Sequence, residues 1–363
     1  LLENVLLLVL DGLALGCIYA LIALGYTMVY GIIKLINFAH GEFYMVGAYA
    51  AFGFLLAAKS TGLPEPANTA LLLFLAILAA ALAAGILAVI VEKLAYRPLR
   101  RASRIAALLT ALGVSLLLQN VALKLFTADT RPFHTGVVDA RYPRITVPKS
   151  SIRPGAVFDR DLYWRYRGSV DNFLVPANTP VTPDDMDAVI THDTSPAVVY
   201  YYPLITVRKK QIIIWIAALV LTVGLQLLVK FTNIGKAMRA VSYDFETAEL
   251  MGINVDRVIT FTFFIGAVLA GAGAVLVGMY YGTIKPTMGV MYGLKAFVAA
   301  VLGGIGSIPG ALLGGLALGT AESLVKVSPA TAPFQDAFAF AVLVLILVFL
   351  PNGFFGREER ERV

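Results

Sequence analysis

Asn37, His40 and Glu42 stand within six positions of one another, between two apolar runs. An imidazole and a carboxylate this close can form a hydrogen-bonded pair beside a solute pathway, or titrate as proton-coupling groups. The blander assignment has Asn37 capping the next helix while His40 and Glu42 satisfy each other; both stay open on sequence alone. Gln119 and Asn120 lie inside a later apolar run, where their amides suit either contact with a zwitterion or hydrogen bonding between helices. Glu322 reads as exposed at a membrane rim, and Glu92 with Lys93 as an interfacial pair. His134 and His192 stand 58 residues apart, too few convergent ligands for a metal, so no metal site is expected. The chain has no Gly-x4-Gly-Lys-Ser/Thr, His-Glu-x-x-His or Gly-x-Ser-x-Gly pattern, so neither catalysis nor a bound cofactor is expected on it.

The elements that must position these groups are apolar. Of the 363 residues 59% are hydrophobic and 14% charged, against about 25% charged in soluble domains. Mean hydropathy is +0.80. The net charge of +6 does not point to nucleic acid, because the Lys and Arg residues are scattered between apolar runs. Cys17, the single cysteine, lies in an apolar stretch and reads as packing.

A membrane-crossing helix needs about 20 apolar residues. Runs of that kind occupy 5–30, 38–58, 67–95, 105–126, 210–230, 258–282 and 335–350. The first is too long for the core of a signal peptide. The stretch 294–325 is too long for one span and is cut at Gly303, Gly304, Gly306, Pro309 and Gly310, which predicts a broken pair of segments facing the protein interior. The expected fold is therefore all-α and polytopic, with about eight or nine transmembrane helices and one external insertion.

Basic residues cluster at 97–104, at 230–257 and in the tail after 356, and such short loops stay cytoplasmic. This places 127–208 outside. That segment holds nine basic and nine acidic residues and no cysteine, and reads as a small tolerated loop domain. The chain divides accordingly into 1–126, 127–208 and 209–363, the last with a cytoplasmic loop at 231–257. Four crossings must follow that loop, which requires both pieces of 294–325 to cross or nearly cross.

Within the loop, a helix is predicted from about Asp244 to Met251, capped by Asp244, acidic in its first turn at Glu246, and ended by Gly252. Glu246, Ala248 and Gly252 resemble the Glu-Ala-Ala-x-x-x-Gly loop by which ABC importer permeases dock onto their ATPases, with Thr247 in place of the commoner alanine. The resemblance extends along the chain, through Gly12-Leu13-Ala14-Leu15-Gly16, Ile36-Asn37-Phe38-Ala39-His40-Gly41-Glu42, Ala95-Tyr96-Arg97-Pro98-Leu99-Arg100 and Val301-Leu302-Gly303-Gly304-Ile305-Gly306-Ser307-Ile308-Pro309-Gly310-Ala311. These blocks are similar to the inner-membrane permeases of branched-chain amino acid ABC importers. The resemblance implies a bacterial inner-membrane subunit working with two ATPase subunits, a second permease and a periplasmic substrate-binding protein. Asp244, Glu246, Ala248, Glu249 and Gly252 would then couple to the ATPase, and Asn37, His40, Glu42, Gln119 and Asn120 are the substrate-pathway candidates. The rivals are a channel or an ion-coupled carrier for urea or another small polar solute; neither needs the 246–252 loop. The insertion departs from the family pattern, in which only a short external connection is expected after Phe126.

Overall fold

The computed structural model describes residues 2–34, 37–60, 69–99, 102–135, 207–328, 330–350 and 353–355, and the short stretches 145–146, 153–158, 162–165, 172–175, 179–183 and 198–201. Among the described residues are eleven α-helices: α1 (Leu2–Ile33), α2 (His40–Ser60), α3 (Thr69–Val91), α4 (Arg104–Phe126), α5 (Lys209–Phe231), α6 (Asn233–Tyr243), α7 (Phe245–Leu250), α8 (Val255–Tyr281), α9 (Met288–Gly303), α10 (Ile308–Val325) and α11 (Gln335–Phe349). Eight helical segments are long and apolar enough to cross a membrane, and α9 is a ninth, shorter apolar helix. Its 16 residues span about 24 Å, less than the ~30 Å hydrocarbon core.

The chain forms two compact units, residues 1–137 with 210–363, and residues 138–209. In the smaller unit β2 (Ile145–Thr146), β3 (Leu162–Arg165), β4 (Asn172–Val175) and β5 (Val198–Tyr201) make an antiparallel sheet in the order β2-β5-β3-β4. The expected loop segment thus contains a folded sheet. His192 and the basic tail after 356 lie outside the described residues.

The larger unit is a helix bundle whose contacts are set by small residues. On α3 the inward stripe Leu73, Ala76, Ala80, Ala84, Ala88 and Val91 follows helical spacing, while Leu78, Leu82, Ile86 and Ile90 face outward. Small side chains let backbones approach where burying apolar surface earns nothing against lipid. Helix α1 packs antiparallel on α10: a side-chain carbon at Gly12 would sit 2.6 Å from Thr320 Cα, and one at Gly16 2.7 Å from Leu316 Cα.

Three cross-links define the sides. An Arg97–Asp256 ion pair joins the ends of α3 and α8. At the opposite side β1 (Arg131–Pro132) pairs antiparallel with β6 (Thr283–Ile284). Beyond α11, the Phe354 and Phe355 amides donate to the Leu302 and Gly303 carbonyls at 3.0 and 3.1 Å, so the chain's last described residues lie against the end of α9. Helices α8 to α11 therefore alternate in direction along the bundle. The antiparallel pairing of α1 with α10 puts the Leu2 end of α1 opposite the basic loops.

The broken segment behaves as its glycines and proline dictate. Helix α9 stops at Gly303, Gly304 and Gly306 take positive φ (94° and 98°), Ser307 caps α10 through the Gly310 amide at 3.1 Å, and Pro309 occupies its first turn. A side-chain carbon at Gly303 would lie 2.9 Å from the Ala311 nitrogen, and one at Gly310 3.0 Å from the Gly303 carbonyl carbon. Only two glycines allow the helix pair to cross this closely.

Candidate functional site

Helix α2 begins deep within the bundle. A side-chain carbon at Gly25, three-quarters of the way along α1, would strike the His40 ring and the Gly266 carbonyl. Asn37, His40 and Glu42 are all buried, at 5%, 1% and 1% exposure. Asn37 Oδ1 accepts from the Ala39 amide at 3.1 Å, capping the turn into α2, and from Tyr96 Oη at 2.7 Å. Tyr96 belongs to a π-helical turn, Glu92–Tyr96, at the end of α3.

His40 and Glu42 do not pair. Two positions apart on a helix they point to opposite sides. The His40 ring lies 4.6 Å from that of Tyr26, and its Nε2 has no partner. Glu42 Oε1 accepts from Ser115 Oγ at 3.2 Å, and Oε2 is buried without a partner. Ser115 lies midway along α4, within the bundle. Gly41 and Gly289 press backbone to backbone beside it: a side-chain carbon at Gly289 would be 2.6 Å from the Gly41 carbonyl and 2.7 Å from Glu42 Oε2. The free carboxylate oxygen thus faces the first turn of α9, whose cap Thr287 makes no side-chain bond. A buried carboxylate oxygen at the positive end of a helix has its charge partly offset and keeps an acceptor available for a cationic group.

Toward the β1–β6 side the interior stays polar. Tyr44, with an unpartnered hydroxyl, lies 5.7 Å from Tyr292, which lies 5.8 Å from Tyr281. Tyr49 stacks on Phe126 at 4.0 Å and also has an unpartnered hydroxyl. Beyond them, Lys295 Nζ contacts Glu322 Oε1 and Asp336 Oδ1, each at 2.6 Å, while Tyr19 Oη donates to Glu322 Oε2 at 2.8 Å. Glu322 is fully buried, which corrects its reading as a rim residue: α1 and α9 cover the face it occupies on α10. Glu92 is likewise buried and accepts from Thr260 Oγ1 at 2.8 Å.

The amides of α4 are not part of this interior. Asn120 is exposed and donates to the Leu116 carbonyl of its own helix at 2.8 Å, and Gln119 is half-buried. Their run is apolar on all sides, so its composition does not say which face is inward. The sequence does not reveal the Lys295 cluster, because its members are 27 and 41 residues apart along the chain. The one available signal was a lysine inside an apolar run. Among the described residues no group of three His, Cys, Asp or Glu is placed to hold a metal, and His134 is exposed.

On the opposite side, the loop after α5 folds into α6 and α7. Thr232 caps α6 through the Gly235 amide at 3.1 Å, and Arg239 donates back to the Val229 carbonyl, tying α6 to α5. Asp244 caps α7: Oδ1 accepts the Glu246 and Thr247 amides at 2.9 and 3.1 Å, and Oδ2 the Thr247 hydroxyl at 2.8 Å. These bonds to the ionised form hold the Asp244 carboxyl below its ordinary range, most of all the one from the Thr247 hydroxyl. Gly252, at φ 83°, ends the turn. Ala248 is buried beneath, Glu246 and Glu249 face out, and Tyr243, Leu250 and Met251 are 78%, 87% and 77% exposed. Nothing in the local sequence pattern marks those apolar side chains as projecting. Only the fold shows that they project.

A bundle of eight membrane-length helices, with buried polar groups and a capped knob between two of them, fits a membrane transport permease. The chain belongs to the branched-chain amino acid transport system permease component family, whose profile matches residues 8–347. It is 37% identical to the high-affinity branched-chain amino acid transport system permease protein LivH of Salmonella typhimurium and to LivH of Escherichia coli K12, over 97% of this chain and 96% of each relative. It is 36% identical, with the same coverage, to BraD of Pseudomonas aeruginosa, which carries the same description. No solved structure matches the chain.

Proposed function

We propose that this chain is the membrane-spanning permease of a bacterial inner-membrane ABC importer for branched-chain or related small amino acids. Separate ATPase subunits drive it and a periplasmic binding protein feeds it. The observation that carries this reading is the α6–α7 knob. A short helix joined to α5 through α6, with acidic Glu246 and Glu249 beside exposed Tyr243, Leu250 and Met251, is a docking surface that a channel or ion-coupled carrier has no use for. Asp244, Ala248 and Gly252 hold its shape. Two ATPases and a second, homologous permease complete the assembly.

In this reading the amino acid passes along α2, where Glu42 Oε2 receives its ammonium group. Asn37 and His40 lie on the cytoplasmic side of Glu42, and Gly303 to Gly310 form the crossing on which α9 and α10 pivot. Asn120 has no part in this reading, since it is exposed on α4 and bonds to its own helix.

The test is isolation of the tagged chain from its native membrane in detergent, with co-purifying proteins identified by mass spectrometry. Two ATPases and a second permease are expected. In vesicles, the Glu246→Ala/Glu249→Ala double variant should keep the permeases together yet lose ATP-driven uptake. A chain that emerges alone and carries solute without ATP overturns the proposal.

A further inference from the structure

We infer that a cleft at the basic-loop side, between the end of α3 and the first turns of α8, binds an anionic phospholipid. The cleft has a volume of about 450 Å³. Among the described residues, Lys93, Arg97 and Arg257 line it together with one acid, Asp256, the polar Asn254 and Thr260, and the apolar Val89, Phe261 and Phe264.

The charges do not cancel. Asp256 is held by Arg97, and among the described residues neither Lys93 nor Arg257 forms an ion pair. Glu92, next to Lys93 in the chain, is turned inward onto Thr260 and is fully buried. The π-helical turn Glu92–Tyr96 separates the two, sending the carboxylate into the bundle and leaving the lysine at the surface. Three cations against Asp256 and the Glu92 carboxylate bonded to the cleft residue Thr260 leave a net positive charge at the depth where the cytoplasmic leaflet places its phosphates.

The apolar lining decides between a lipid and a soluble anion. The outward stripe Leu82, Ile86 and Ile90, exposed at 45%, 55% and 47%, continues at helical spacing to Lys93. An acyl chain lying on that stripe brings its phosphodiester to Lys93 and Arg257. A zwitterionic headgroup would carry its ammonium into the same cationic cleft, so a net anionic lipid such as phosphatidylglycerol is the ligand chemistry that fits. This inference rests on the membrane topology and not on which amino acid is carried.

Phosphatidylglycerol retained by the purified, assembled transporter in mixed micelles, measured by native mass spectrometry, tests it. Each basic residue near a membrane surface contributes about fivefold to anionic-lipid affinity, so Lys93→Gln should weaken retention about fivefold and Lys93→Gln/Arg257→Gln about thirtyfold. Asp256→Asn should strengthen it by freeing Arg97. Lys230→Gln, at the end of α5 and away from the cleft, should change nothing. Three results overturn the inference: equal loss in Lys230→Gln, which means diffuse surface attraction; displacement of the lipid by excess inorganic phosphate; or unchanged lipid in the double variant. Loss of the ATPases from the double variant with lipid retained would also overturn it, making the cleft a protein-docking face.

Discussion

Glu42 and Lys295 are two answers to one problem, an ionisable side chain in a region that cannot hydrate it. Lys295 is satisfied within the protein by Glu322 and Asp336, whereas Glu42 keeps one oxygen for something else. The consequences of substitution differ accordingly. Glu42→Gln should raise the KM for amino acid uptake by about tenfold or more, the worth of a charge-assisted hydrogen bond, without changing recovery of the ATPases. Normal uptake kinetics would remove Glu42 from the pathway. Lys295→Met leaves Glu322 buried beside Tyr19 alone, a loss of ~3–5 kcal/mol, and Lys295→Met/Glu322→Met should recover most of it in thermal unfolding in detergent. No recovery would mean that the lysine acts by packing rather than by charge.

Helix termini are where this chain's local chemistry is most legible. The Asp244 cap, the turn at Gly252 and the break from Gly303 to Gly310 each depend on residues within a few positions of one another, and each forms where the local pattern places it. Because Asp244 is held below its ordinary range, its capping contribution is full above the unfolded carboxylate range and is lost only as pH falls through the lowered value. Hydrogen exchange at the Thr247 amide should therefore stay protected beyond its intrinsic pH dependence from neutrality down to the carboxylate range. It should lose that protection at neutral pH in Asp244→Ala. At the helix crossing, Gly310→Ala should destabilise by ~1–3 kcal/mol through overpacking against Gly303, while Gly53→Ala, which would meet nothing within 4 Å, should not. Equal melting temperatures for the two would show that the crossing is looser than described.

For the molecule as a whole, the alternation of α8 to α11 and the antiparallel α1–α10 pair define a topology that labelling can test. After Cys17→Ser, a cysteine at Ser103 should react with a membrane-impermeant reagent only from the cytoplasmic side, and one at Ser328 only from the outside. The reverse pattern would invert every assignment, including the side on which α7 and the lipid cleft lie. The knob, the cleft and the polar interior occupy one bundle. A displacement of α7 is transmitted through α6 to α5 by the Arg239 bond and to α8 through the Ile253 and Asn254 turn, so the loop is joined to two spans.

From its sequence alone the protein is determined to be polytopic and all-α in its membrane part, with its broken helix and capped loop, because hydropathy and capping act over one window or one helix turn. What only the tertiary structure decided is which polar groups meet. Ser115 reaches Glu42 across 73 residues and Lys295 reaches Glu322 across 27. His40 turns away from the neighbour that sequence spacing offered it. In helices apolar on every side, no periodicity marks the inward face. Small-residue contacts such as Gly41 on Gly289 set the rotation of each helix, and that rotation decides whether a buried side chain faces a partner, a pathway or the lipid.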